Sequence, residues 1–156
     1  MTQGNISSSD RIREKKKLFL AREQKVVNAA LELLIGENID RVTVSKIASK
    51  AGIGKGTVYK HFLTKNEILV RIMLDYERSI ARRLAQALEQ GDDGDPGAVS
   101  KAYFDSRLER PELDRLVQKL EDRLVDADDI RPQLDEFSRI RRSHEEALGS
   151  MITKLV

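Results

Sequence analysis

Apolar positions along this chain return every three or four residues, the spacing that gathers them on one face of a helix. Between Glu23 and Ile35, Val26, Val27, Ala30, Leu31 and Leu34 form such a stripe, and Gly36 is placed to stop it. The link ENIDRV leads to Thr43, a favoured N-cap for a second helix over Val44–Lys50. There Val44, Ile47, Ala48 and Ala51 keep the helical spacing. The turn AGIG separates it from a third helix running from about Lys55 to Phe62. Thr64-Lys65-Asn66-Glu67 reads as a capping box for a fourth helix reaching Glu89, broken by Gly91-Asp92-Asp93-Gly94-Asp95.

The second half is three further helices set off by proline. Asp95-Pro96 supplies a cap and an N1 proline before AVSKAYFDSRL, and Pro111 restarts the chain for ELDRLVQKLEDRLV. In the latter, Leu113, Leu116, Val117, Leu120 and Leu124 share one face. Pro132 opens the last helix, QLDEFSRIRRSHEEALGSMITKLV. No stretch alternates as a strand would, and no tandem repeat is visible, so the expected fold class is all-α. Residues 1–9 read as disordered, and from Asp10 the text RIREKKKLFLAREQ is a basic arm that extends the first helix. The expected domains are this partly disordered arm over 1–21, a compact unit over 22–65 and a helical unit over 66–156.

Composition narrows the chemistry. Charged residues make up 35% of the 156 and aromatics only 4%, the profile of a helical protein with an aliphatic core. With no cysteine, disulfides, thiolate catalysis and cysteine-ligated zinc are excluded. No apolar run approaches the length of a membrane span, and the polar start MTQGNISSSD is not a signal peptide. A cytoplasmic location, with no membrane partner, is therefore expected. The net charge of +2 hides an asymmetry: residues 1–65 carry 13 Lys/Arg against 6 Asp/Glu, residues 66–156 carry 15 against 20. The first part is suited to a polyanion and the second is not.

AGIGKGTVYKHF, Ala51 to Phe62, has the glycines and lysine of a phosphate-gripping loop, but the spacing excludes a nucleotide site. A P-loop needs Gly-Lys-Ser/Thr, whereas Gly56 follows Lys55; the dinucleotide fingerprint needs a third glycine where Thr57 stands. Both also need a preceding strand, and a helix precedes this turn. Two short helices around a glycine turn are instead a helix-turn-helix. Ile47, Ala48, Ala51, Ile53 and Val58 would face inward, and Gly52 sits where the turn needs positive φ. The plainer alternative is an ordinary pair of core helices. Against it, a helix of two turns with only Val58 and Phe62 to bury leaves Lys55, Thr57, Tyr59, Lys60 and His61 projecting.

From about Arg22 to Met73, and most specifically in KGTVYKHF followed by TKNEIL, the sequence resembles the TetR family of bacterial transcriptional regulators. The resemblance implies a three-helix N-terminal DNA-binding unit, a helical C-terminal ligand-binding and dimerisation domain, and repression relieved by a small molecule. Its partners would be double-stranded palindromic operator DNA, an effector and a second copy of the chain, with no cofactor. Two departures stand out: Gly54 replaces the usual serine or threonine at the start of the third helix, and the regulatory domain ends at Val156, short of the family's usual length.

The third helix would enter the major groove by its N-terminal residues. Lys55 and Lys60 suit guanine acceptors or phosphates, Thr57 offers a methyl to thymine, and side-chain-free Gly56 allows close approach. Tyr59 and His61 are expected to clamp the backbone, with Thr43, Ser45, Lys46 and Lys65 completing a phosphate cradle. Arg11, Arg13, Lys15, Lys16 and Lys17 are candidate arm contacts, the alternative being a solvated tail. Tyr103, Phe104, Leu108, Leu116, Leu120, Phe137, Ile140 and His144 are candidate lining for an effector pocket, although such a stripe is core more often than a ligand site. No metal constellation, calcium loop or nucleophile–base set is present, so an enzyme is not expected. Competing readings are an architectural or division-related DNA-binding factor on the same fold, and a module that binds an acidic protein.

Overall fold

The computed structural model describes residues 7–90 and 95–155. The expected disorder over residues 1–6, the Gly91–Gly94 loop and the final Val156 lie outside the described residues. All regular structure described is helical: α1 (Ser8–Gly36), a 3-10 turn (Ile39–Arg41), α2 (Val44–Ala51), α3 (Lys55–His61), α4 (Lys65–Gln90), α5 (Pro96–Leu108), α6 (Pro111–Leu124), a second 3-10 turn (Asp128–Ile130) and α7 (Arg131–Leu155). The chain separates into two compact units, one ending at Lys65 and the other beginning at Asn66.

In the first unit α1, α2 and α3 pack against one another, and Val26, Ala30, Val42, Ile47 and Val58 are fully enclosed, at 0% exposure. Burying one such branched side chain is worth about 1.5–3 kcal/mol, so this small set holds the bundle together. The Thr43 hydroxyl oxygen accepts from the Lys46 amide at 3.2 Å and caps α2. Gly52 ends α2 in the left-handed region, φ 70° and ψ 30°, and its N–H donates to the Ala48 and Ser49 carbonyls. The Ile53 amide also donates to Ala48, at 3.1 Å. These bonds close the turn, and buried Ala48 lets α2 sit near its neighbours.

Two boundaries differ from the sequence expectation. α1 is regular from Ser8 onward, where the sequence suggests disorder over residues 1–9 and a helical arm beginning at Asp10. RIREKKKLFLAREQ contains neither glycine nor proline and is built from strong helix formers. Ser7 also caps it, its hydroxyl oxygen accepting from the Asp10 amide at 3.3 Å. At the other end Gly36 stays helical and Glu37 carries the chain out in extended conformation, with its N–H on the Leu33 carbonyl. Among the described residues Gly52 alone has positive φ, so Gly36 works by weak helix propensity and not as a left-handed cap.

In the second unit the α6 stripe Leu113, Leu116, Val117, Leu120 and Leu124 is buried throughout. From α4, Ile68, Leu69, Met73, Ile80 and Leu84 are buried, and so is a charged residue, Glu77. The Asp95 carboxylate accepts from the Gly97 amide at 2.9 Å at the head of α5. No helix among the described residues is long and apolar enough to cross a membrane.

An alanine at position 52 would meet no atom within 4 Å, so only the backbone opposes it. Gly52→Ala is expected to destabilise the first unit by about 1–2 kcal/mol, the cost of a left-handed L-residue. Urea unfolding followed by helical circular dichroism measures this; unchanged stability would refute the strain assigned to the turn.

Candidate nucleic-acid interface

α3 spans seven residues and turns one apolar side chain, Val58, fully inward. Gly54 precedes it in extended conformation and caps it with backbone alone, its carbonyl accepting from the Thr57 and Val58 amides. Lys55, Gly56, Tyr59 and Lys60 are exposed and Thr57 is half-buried. The Lys55 ammonium lies 6.0 Å from the Tyr59 ring centroid, so the two side chains share one side of the helix. Around Gly56 no atom lies within 4 Å of where a Cβ would stand, which leaves bare, approachable backbone on the outer face.

His61 does not join this face. Its side chain is 2% exposed, its ring stacks 4.1 Å from Phe19, and Nδ1 lies 3.4 Å from the Glu23 carboxylate of α1. The expected backbone clamp is therefore replaced by a structural contact. His61 stands three residues after Val58, about 60° around the helix from it, and the same packing claims both. Lys65 is also committed in part, since its ammonium donates to the Ile39 carbonyl at 2.5 Å. Lys46 is paired at 2.9 Å with Glu37, both half-exposed, and such surface pairs are worth under about 1 kcal/mol and give way to a phosphate. Ser45 is exposed beside it, and the Thr43 hydroxyl, accepting from Lys46, still has its own proton to donate.

The positive charge of the first unit is largely uncompensated. Among the described residues Arg11, Arg13, Lys15, Lys16, Lys17, Arg22, Lys25, Arg41, Lys55 and Lys60 make no ion pair. All of them are exposed. Clustered, unpaired cations of one sign repel each other and concentrate a polyanion.

The second unit pairs its charge internally. Glu77 is completely buried, with the Arg141 guanidinium 3.1 Å from Oε1 and that of Arg107 at 3.9 Å. His144 Nδ1 lies 3.2 Å from Glu77 Oε2, outside hydrogen-bonding geometry. Glu77 Oε2, both His144 ring nitrogens and Arg107 Nε are buried with no hydrogen-bond partner. Burial pushes the Glu77 carboxyl up, but His144, Arg141 and Arg107 together outweigh it and hold the group below its usual range. Around this centre the Tyr76 hydroxyl donates to Asp114 at 2.5 Å, and Arg141 reaches Glu121 at 2.5 Å. Burial, followed by Asp114, pushes the Tyr76 phenol up.

The eight candidate pocket residues differ widely in burial. Phe104 and Leu108 point to solvent, at 60% and 73% exposure, because they sit on the outer side of α5. Leu116, Leu120 and Phe137 belong to the buried core, Phe137 under the Arg141 guanidinium at 4.6 Å. Tyr103 and Ile140 are half-buried, Tyr103 packing edge-on to Phe104 at 5.6 Å and lying 5.0 Å from Arg107. His144 stands in the polar centre against Glu77, and Tyr103 and Phe137 border that centre through Arg107 and Arg141. The sequence expectations omit Glu77, whose signal is a carboxylate in the register of Met73, Ile80 and Leu84.

Residues 26–72 match the sequence family described as bacterial regulatory proteins, tetR family. The chain is 38% identical over 50 residues to the HTH-type transcriptional regulator SrpR of Pseudomonas putida, covering 32% of this chain and 24% of that protein. It is 35% identical over 72 residues to the HTH-type transcriptional regulator TtgR, also of Pseudomonas putida, 46% of this chain and 34% of that one. A longer match, 25% identical over 123 residues, is to the HTH-type transcriptional regulator BetI 1 of Chromohalobacter salexigens, 76% of this chain and 58% of that one. The chain thus spans less than two thirds of the length of each of these relatives.

Two outcomes follow from the geometry. His61→Ala is expected to lower the stability of the first unit by about 1–2 kcal/mol, which a denaturation series measures. For Glu77, a folded pKa below the ordinary 4.5 means that the unfolded chain takes up the proton first. Its contribution is complete above that ordinary value and is lost as pH falls through the depressed one. An acid titration of helical signal should show a flatter limb for Glu77→Gln; an unchanged limb would remove Glu77 from this role.

Proposed function

We propose that this chain, whose residues 26–72 match the tetR family of bacterial regulatory proteins, is a cytoplasmic, homodimeric repressor which binds a palindromic operator and leaves it when a small molecule occupies the C-terminal unit. The observation that carries the DNA-binding half is the outer face of α3: Lys55, Gly56, Tyr59 and Lys60 exposed over a single buried Val58.

α3 enters the major groove, where Lys55 and Lys60 donate to guanine O6 and N7 or to phosphates, and the Thr57 methyl meets thymine. Bare Gly56 lets the helix backbone close on the bases. The Tyr59 hydroxyl, the Thr43 proton, Ser45 and Lys46, released from Glu37, hold the flanking phosphates and fix the register. Two copies on a palindrome place their α3 helices about 34–36 Å apart, one turn of duplex.

The effector half rests on the polar centre of the second unit. Each buried polar atom without a partner costs about 1–3 kcal/mol. With Glu77 Oε2 and His144 Nδ1 facing each other at 3.2 Å, His144 Nε2 and Arg107 Nε are left to supply a ring nitrogen and a donor. A small molecule carrying both a donor and an acceptor satisfies them. A preference of only about 1–3 kcal/mol for the non-DNA state is enough to release the operator. α4 is the covalent route, beginning at Lys65 and carrying Glu77.

Selection of bound sites from random duplexes tests the reading, with a palindrome the expected product. Lys55→Ala and Tyr59→Ala should each weaken the selected site by about 1–3 kcal/mol with helical content unchanged. Gly56→Ala is the sharper variant: it should raise stability by up to about 1 kcal/mol, since alanine favours helix and finds open space there, while weakening the operator complex. Unchanged affinity in all three variants would remove α3 from the interface. Chromatin-wide mapping separates the regulator, at a few promoters, from an architectural factor at many dispersed sites.

A further inference from the structure

α1 is 29 residues long, but only its later part belongs to the bundle. Every residue from Ser8 to Leu18 is exposed. The first packing point is Phe19 on the His61 ring, followed by Glu23 on the same imidazole. The roughly eleven residues before Phe19 therefore project about 16 Å as a free helix.

That projection carries Arg11, Arg13, Lys15, Lys16 and Lys17 against Asp10 and Glu14, and none of these cations is paired among the described residues. At about 100° per residue, Arg11, Lys15 and Arg22 fall within one narrow sector of the helix, and Arg13 and Lys17 within another. The root is fixed by His61, the last residue of α3, so the arm leaves from the end of the recognition helix opposite its base-reading end. Its length exceeds the roughly 12 Å width of the major groove.

A lipid surface is the competing anion, and the apolar side chains argue against it. Leu18, Phe19 and Leu20 are consecutive, so each points about 100° from the last and no common membrane face forms. Ile12 lines up with Phe19, and that ring, 45% exposed, is partly taken up by His61. A duplex needs no apolar face and offers one negative charge per about 1.7 Å of axis.

We propose that Ser8–Leu18 is a second DNA-contacting element, a rigid helical arm that lays Arg11 and Lys15, with Arg22 at its root, along phosphates outside the groove occupied by α3. This rests on the DNA-binding reading above and deepens it. The arm reads no bases. It lengthens the footprint by about five base pairs per bound chain and steepens the salt dependence.

The test is a salt series of fluorescence-anisotropy titrations of the full chain with a mixed-sequence duplex and with the selected site. In the triple variant Arg11→Gln, Lys15→Gln, Arg22→Gln, the slope of log K against log salt should fall by between two and three units, about 0.9 per lost phosphate. The preference for the selected site over mixed sequence should stay as in the wild type, since phosphate contacts carry no base information. Glutamine is as good a helix former as the residues it replaces, so helical content should hold. Glu14→Gln should tighten binding, a gain that no folding defect imitates. A triple variant with wild-type slope and footprint overturns the arm and leaves α3 standing. A wild-type chain that binds no duplex at all overturns the DNA reading and the arm with it. Binding to anionic phospholipid vesicles that the triple variant loses, with its DNA slope unchanged, overturns the arm in favour of a lipid surface.

Discussion

A seven-residue helix is not stable by itself in water, because the cost of its first turn is never recovered over so short a length. α3 therefore exists only through what it is attached to. Val58 locks it to the interior, His61 ties its last turn to α1, and the left-handed Gly52 sets its departure from α2. Three fixed points on one side and at the two ends leave the remaining surface with no structural duty. That arrangement is what frees Lys55, Gly56, Tyr59 and Lys60 to meet another molecule.

The two units handle charge in opposite ways. In the first, excess cations stay in water, where they are well solvated and available to a polyanion. In the second, a carboxylate is taken fully out of water and held by two guanidiniums and an imidazole. Desolvation of that kind is tolerated only when opposite charges stand close by, and removing one partner is far more costly than removing a surface pair. One half of the chain thus presents its electrostatics and the other conceals it.

Much of this is legible in the sequence, for reasons tied to particular residues. Thr43, Gly52, Asp95-Pro96 and Pro111 mark boundaries because each satisfies or forbids a specific backbone geometry. The α6 leucines declare their face by spacing alone. The mismatches share a cause, which is that residue type can be outweighed by register. Polarity alone sends His61 outward, although its position beside Val58 on the helix points inward. Apolar character alone makes Phe104 and Leu108 lining, yet α5 turns them to solvent. Charge alone hides Glu77, although its place between Met73 and Ile80 is a core position. The serines before Asp10 suggest disorder, yet Ser7 caps the helix and Ser8 and Ser9 begin its first turn.

The buried carboxylate also limits how the second unit deforms. Apolar helix faces can slide, because one methyl serves nearly as well as the next. A guanidinium is held by one particular oxygen, and Glu77 Oε1 is engaged from α5 and α7 at once. A slip of α4 by a single turn, about 5.4 Å, would break both grips together and strand a naked anion in a dry interior. The cluster is a ratchet stop: at Glu77, α4, α5 and α7 keep their register.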